Sequence, residues 1–106
     1  MPKFESLFLI GDAHPALPGH FPGTPVVPGV VVLDQVISLL ATLIEIDAHL
    51  IDLPQVKFIE PLLPGQVARI EMEVEANRAR FRVERCATQD AGTVIASGGL
   101  QWRNVP

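Results

Sequence analysis

The segment 67-VARIEMEVEANRARFRVER-85 holds two runs of alternating residues around Ala76-Asn77. Placing those two residues in a tight turn sets Glu75 opposite Arg78, Glu73 opposite Arg80, Glu71 opposite Arg82 and Arg69 opposite Glu84. Every charged cross-strand pair on that face then joins opposite signs. The other face matches Val74 with Ala79, Met72 with Phe81 and Ile70 with Val83, the apolar side that a core requires. The register predicts an antiparallel sheet with one wet and one dry face. It also reads Arg78, Arg80 and Arg82 as a solvated charge ladder rather than a patch for an acidic partner.

Working outward, the C-terminal half divides into short strands over Gln55 to Glu60, Val67 to Ala76, Arg78 to Thr88 and Thr93 to Arg103, punctuated by PLLPG, AN and DAG. Near the N-terminus, Glu5 to Ile10 reads as a further strand ending at the Gly11-Asp12 turn signal. Pro15, Pro18, Pro22 and Pro25, with Gly19 and Gly23, then exclude regular helix and impose a stiff, irregular path. From Val30 to Ile46 apolar residues appear on all sides, which suits a helix swallowed by the core. Val30, Val31 and Val32 are poor helix formers, so this reading rests on the long apolar window after a Pro-Gly start. The expected architecture is α+β, a single domain over residues 1-106 with one helix against a curved antiparallel sheet.

The 106 residues suffice for one modest core. The chain is 48% hydrophobic and only 19% charged, which predicts apolar surface buried against another subunit, in a dimer. A net charge of -4 argues against nucleic acid, which demands concentrated Lys and Arg. The N-terminal apolar run is too short for a secretory signal or a membrane span. Between Val26 and Ile44, Pro28, Gly29, Asp34, Gln35, Ser38 and Thr42 interrupt the longer apolar region, which favours a buried helix over a membrane-inserted one. With one cysteine, Cys86, neither an intrachain disulfide nor a cysteine-based zinc site forms, and the balance is that of a cytoplasmic protein.

One stretch carries chemistry: 19-GHFPGTPVVPGVVVLDQ-35, with His20 on the stiff loop and a lone acid, Asp34, in an apolar run. Taken singly, His20 is more often a loop histidine satisfied by a backbone carbonyl, and Asp34 a capping or interface acid. His14 and His49 fall outside the motif and read as structural or surface residues. The order HFPG-x-P-x-x-PG-x-x-x-x-D, however, resembles the active-site segment of the 3-hydroxyacyl-acyl-carrier-protein dehydratases, the hot-dog fold family whose two well-known branches are FabZ and FabA. The stretch 56-VKFIEPLLPG-65 resembles the strand and turn that follow the helix in that family. An aspartate at the acid position is the FabA-like choice, and chains of this short kind resemble those associated with aryl-polyene or xanthomonadin-type pigment synthesis.

The resemblance implies a hot-dog fold whose sheet wraps the central helix, two chains pairing their sheets side by side, and a site shared across that interface. It implies dehydration of a (3R)-hydroxyacyl thioester to the trans-2-enoyl thioester, in fatty-acid or polyketide-like lipid synthesis, with no metal and no cofactor. The substrate arrives on the phosphopantetheine arm of acyl carrier protein. His20 is the implied base, since imidazole titrates near neutrality and a Pro/Gly loop holds it with little orientational loss. Asp34 is the implied acid, expected in an apolar groove that favours its protonated form. Gly29 and Val30, at the helix start, offer backbone N–H groups to the thioester oxygen. Val32, Val36, Leu40 and Phe58 are the expected lining of an acyl tunnel.

Two departures stand out. The family's glutamine four residues after the acid is replaced by Ser38, while Gln35 directly follows Asp34. The chain also begins about twenty residues before His20, without the longer N-terminal helix and first strand of the housekeeping enzymes. Three readings therefore stay open: an active homodimer, a non-catalytic or partner-dependent subunit of a heterodimer with a second hot-dog protein, and a hot-dog acyl thioesterase. The HFPG motif argues against the last.

Overall fold

In a computed structural model, residues 3–11, 26–86 and 92–103 are described. Strands β1 (Lys3–Leu9), β2 (Ile51–Phe58), β3 (Val67–Glu75), β4 (Arg78–Arg85) and β5 (Thr93–Trp102) form one antiparallel sheet in the order β1-β3-β4-β5-β2. Between β1 and β2 in the chain comes the helix α1 (Gly29–Ile44), followed by a short 3-10 turn, Ala48–Leu50.

The register expected from residues 67–85 is the register found, from Glu75 opposite Arg78 to Arg69 opposite Glu84. Arg80 reaches Glu73 at 3.4 Å and Arg82 reaches Glu71 at 3.1 Å. Across from Arg78, by contrast, Glu75 makes no ion pair within 4.0 Å among the described residues. Glu84 departs from a solvated ladder: it is only 5% exposed and receives Arg82 at 2.7 Å and Arg69 at 3.1 Å. That carboxylate holds the Arg69 guanidinium above its ordinary pKa. Gly92 lies over Glu84, so the ladder is covered at this end by the chain itself.

On the dry face, Ala68, Ile70 and Met72 of β3 join Ala79, Phe81 and Val83 of β4 and Ala96, Leu100 and Trp102 of β5 in one core. A register shift between Val83 and Glu84 leaves Ile95 without an opposite residue. Ile95 is 2% exposed, and its carbonyl accepts the Ile59 N–H at 2.8 Å. Such a bulge bends a strand locally, and here it brings the chain after β2 against the core.

Gly98 shows how closely β2 approaches β5. A Cβ at that position would collide with the Gln55 carbonyl oxygen and stand 3.1 Å from the Phe81 ring. The ring of Phe81, opposite Gly98 in the register, fills the space that the missing side chain leaves.

Several element boundaries differ from the sequence reading, among them those of β2 and α1. β2 begins at Ile51 rather than Gln55 and ends at Phe58. Pro54 is accommodated within β2 because β2 is an outer strand and its pairing with β5 is interrupted between Asp52 and Gln55. The helix ends at Ile44, two residues early, where Glu45 turns into the left-handed region (φ 54) and the Ile46 N–H bonds back to the Ala41 carbonyl.

Nor is the helix swallowed on all sides. Val32, Val36 and Leu40, spaced by four, are at most 2% exposed, whereas Leu33, Ile37, Leu39 and Leu43 are half-buried. A single sheet covers a single face, and the helix buries the stripe that meets it.

Candidate functional site

Pro28 sets the start of α1 with φ -58 and ψ 142, and its carbonyl accepts the Val31 N–H at 2.9 Å. Proline brings no side-chain cap, and none is made there. The N–H groups of Gly29 and Val30, which have no acceptor inside a helix, thus stand at the positive end of the α1 dipole. The stretch leading in is pinned by Val27, 4% exposed, whose N–H bonds to the Leu62 carbonyl at 2.8 Å.

That bond brings the helix start beside residues 58 to 62, and a cavity of about 410 Å³ opens between them. Its lining comprises Val26, Val27, Gly29, Val32, Phe58, Ile59, Glu60, Pro61, Leu62 and Ile95. The walls are apolar apart from Glu60, which is exposed. The Phe58 ring lies over Gly29, where an added Cβ would come within 2.7 Å of its tip. A side chain at this spot would have to displace the half-exposed Phe58 ring.

Of the residues singled out by sequence, Gly29, Val32 and Phe58 meet at this cavity. Val30 is adjacent and 65% exposed. Val36 and Leu40 are both 0% exposed and lie within the core. Asp34 is exposed, one turn beyond Val30 on the side of α1 away from Val32, Val36 and Leu40, and it is not among the described lining. His20 and His14 lie outside the described residues. His49 is exposed on the 3-10 turn, where its ring Nδ1 lies 2.8 Å from Asp47 Oδ1 and its backbone N–H donates to the same oxygen. Together these contacts hold the Asp47 carboxyl below its ordinary range.

The sequence reading missed Ile59, Leu62 and Ile95 as cavity residues. Leu62 lies within the PLLPG turn, where nothing in its spacing signals burial. Ile95 reaches the cavity only through the bulge in β5. A second concavity of about 370 Å³, lined by Pro54, Glu73, Glu75, Arg78 and Arg80 among others, lies at the charged side of the sheet. Its described lining includes no residue of α1. Among the described residues, no helix is long and apolar enough to cross a membrane.

The family model for ApeI-like dehydratases, described as ApeI dehydratase, matches residues 3–98. A FabZ 3-hydroxyacyl-[acyl-carrier-protein] dehydratase from Herpetosiphon aurantiacus is 28% identical over 95 residues, covering 83% of this chain and 67% of that protein. The corresponding enzyme from Bartonella bacilliformis is 33% identical over 94 residues, covering 81% and 61%. The chain spans about half to two thirds of the length of the curated relatives it matches. Among solved structures, the ApeI:P dehydratase heterocomplex from Xenorhabdus doucetiae gives a TM-score of 0.74 at 22% identity, with 95% of this chain and 88% of that one covered. An uncharacterised Erwinia carotovora protein gives 0.79 at 23%, covering 97% and 84%. At such identities the structures speak for the fold alone, a single helix on a curved five-stranded antiparallel sheet. The match over residues 3–98 shows the family: the chain belongs to the ApeI-like dehydratases of the hot-dog fold.

Proposed function

We propose that this protein removes water from a 3-hydroxyacyl thioester carried by acyl carrier protein, giving the trans-2-enoyl thioester, in the bacterial cytoplasm. The observation that carries the reading is the apolar cavity at the uncapped start of α1, in a chain of the ApeI-like dehydratase family.

The reaction needs three things: a base for the C2 proton, donors for the oxygen that gains charge, and an acid for the departing C3 hydroxyl. His20 takes the C2 proton, and the electron pair of that bond moves toward the thioester carbonyl. The N–H groups of Gly29 and Val30 hold the carbonyl oxygen as it becomes negative, helped by the helix dipole. Asp34, protonated, gives its proton to the hydroxyl. The C3–O bond then breaks as the C2–C3 double bond forms, and water leaves. The apolar walls formed by Val27, Val32, Phe58 and Ile95 receive the acyl chain and exclude solvent.

Asp34 favours a site completed by a second chain. In one chain it is exposed and turned away from the cavity, so an acid that acts on a substrate in such a cavity is brought to it by a neighbouring chain. The neighbour is another copy or a second hot-dog protein, the latter supported by likeness to a protein solved as a dehydratase heterocomplex.

The test is mass spectrometry of 3-hydroxyacyl-ACP incubated with the purified chain, beside His20→Ala and Asp34→Asn. Loss of one water by the native protein, reduced by at least about a hundredfold in His20→Ala, is the expected result for an absent general base. No reaction by a folded chain that becomes active on adding a second hot-dog subunit assigns it a partner-dependent role. Release of free pantetheine thiol would overturn dehydration in favour of thioester hydrolysis.

A further inference from the structure

The cavity at the helix start ends early. Four residues of its deep wall, Val27, Val32, Leu62 and Ile95, are 4%, 2%, 1% and 2% exposed. The next two positions on the same line of the helix, Val36 and Leu40, are 0% exposed and belong to the packed core rather than to the lining. From Gly29 at the mouth to Val32 is three residues, about 4.5 Å of helix rise.

We propose that the cavity is a closed end that admits only a short hydrocarbon chain, and that Val32, Leu62 and Ile95 set the limit. This rests on the dehydratase reading for the identity of what enters, because the Gly29 and Val30 N–H groups would anchor the thioester carbonyl and direct its chain inward. Each methylene placed against apolar wall improves affinity about fourfold. A methylene beyond Val32 has to force apart side chains that are already close-packed, and interiors yield little to added volume. Among the described residues the deep wall offers no polar side chain, since Glu60 is exposed, so a hydroxyl or carboxyl far along the chain would be buried without a partner there.

The limit is read without turnover by calorimetric titration of the full chain with saturated acyl-pantetheines of increasing length, which carry no hydroxyl to lose. Affinity is expected to rise about fourfold per carbon and then level or fall beyond about four carbons, the extended chain that about 4.5 Å holds. Val32→Ala moves that break longer by a carbon or two, and Val32→Ile moves it shorter. If Val32→Ala fails to fold, Leu62→Val provides the same lengthening at a smaller loss of core volume. A rise that continues through twelve carbons, a break unmoved in folded variants, or no binding of any chain would overturn the limit. Dehydration assayed in parallel keeps the two readings apart: a break without any dehydration defeats the catalytic reading and leaves the length limit standing, while dehydration without a break does the reverse.

Discussion

Two neighbouring glycines of β5 separate what backbone contact demands from what it tolerates. An added methyl at Gly98 meets the Gln55 carbonyl, the Phe81 ring and the Val56 Cα, whereas at Gly99 the nearest atom is the Ala79 carbonyl oxygen at 3.8 Å. Gly98→Ala should therefore lose about 3 kcal/mol, the upper end of what overpacking costs, because a backbone carbonyl in a paired strand has little room to retreat. Gly99→Ala should stay within about 0.5 kcal/mol of the native protein. Paired urea unfolding curves measure both, and equal losses would mean that crowding at Gly98 does not control stability. The pairing has functional weight, since the β2–β5 contact carries Phe58 to its place over Gly29.

Helix α1 is built for its two ends as much as for its packed stripe. At the start, Pro28 fixes the entry angle and leaves the amides open. At the finish, Glu45 holds φ 54 and ψ 45, a conformation that costs a residue with a Cβ about 1 kcal/mol, and it places a negative charge at the negative pole of the helix. Glu45→Gly removes both penalties. A gain of about 1 kcal/mol is expected, read as a rise in thermal midpoint of about 4–8 °C for a domain of this size. An unchanged midpoint would show that fraying of the last turn already relieves the strain. The site at the other end of the helix makes no use of Glu45, so dehydration should be unaffected.

At the largest scale the shape is flat, 48 × 31 × 20 Å, with one sheet and one α-helix among the described residues. Such a shape leaves apolar surface outside: Val30 is 65% exposed, Phe58 53% and Ile59 49%, all at or beside the cavity mouth. β2 is also an outer strand with an unpaired edge, and outer strands invite pairing. The Ile59 N–H points to β5, so by alternation the Val56 and Phe58 N–H groups point outward. Association through this edge predicts that Val56→Pro, which deletes an outward donor while leaving the bonds to β5, shifts sedimentation toward the single chain at micromolar concentration. A native protein that sediments as a monomer at that concentration, alone and with a second hot-dog chain, would count against the shared site.

How much could be known beforehand follows from the range over which each interaction acts. Strand pairing in the hairpin was legible in residues 67–85 because charge and hydrophobicity alternate with the period of a strand and the turn lies between them, all within nineteen consecutive positions. The motif that joins His20, Gly29 and Asp34 is likewise a spacing along one segment, and it is the family resemblance, not their roles, that it made legible. The burial of Glu84 beneath Gly92, the Phe58 ring over Gly29 and the closing of the cavity by Leu62 and Ile95 were not. Each joins residues distant in the chain, and each depends on a bulge or a strand crossing whose position no local pattern specifies. Periodicity states which face of an element turns inward; what it meets there is settled only when the sheet bends and the elements pack.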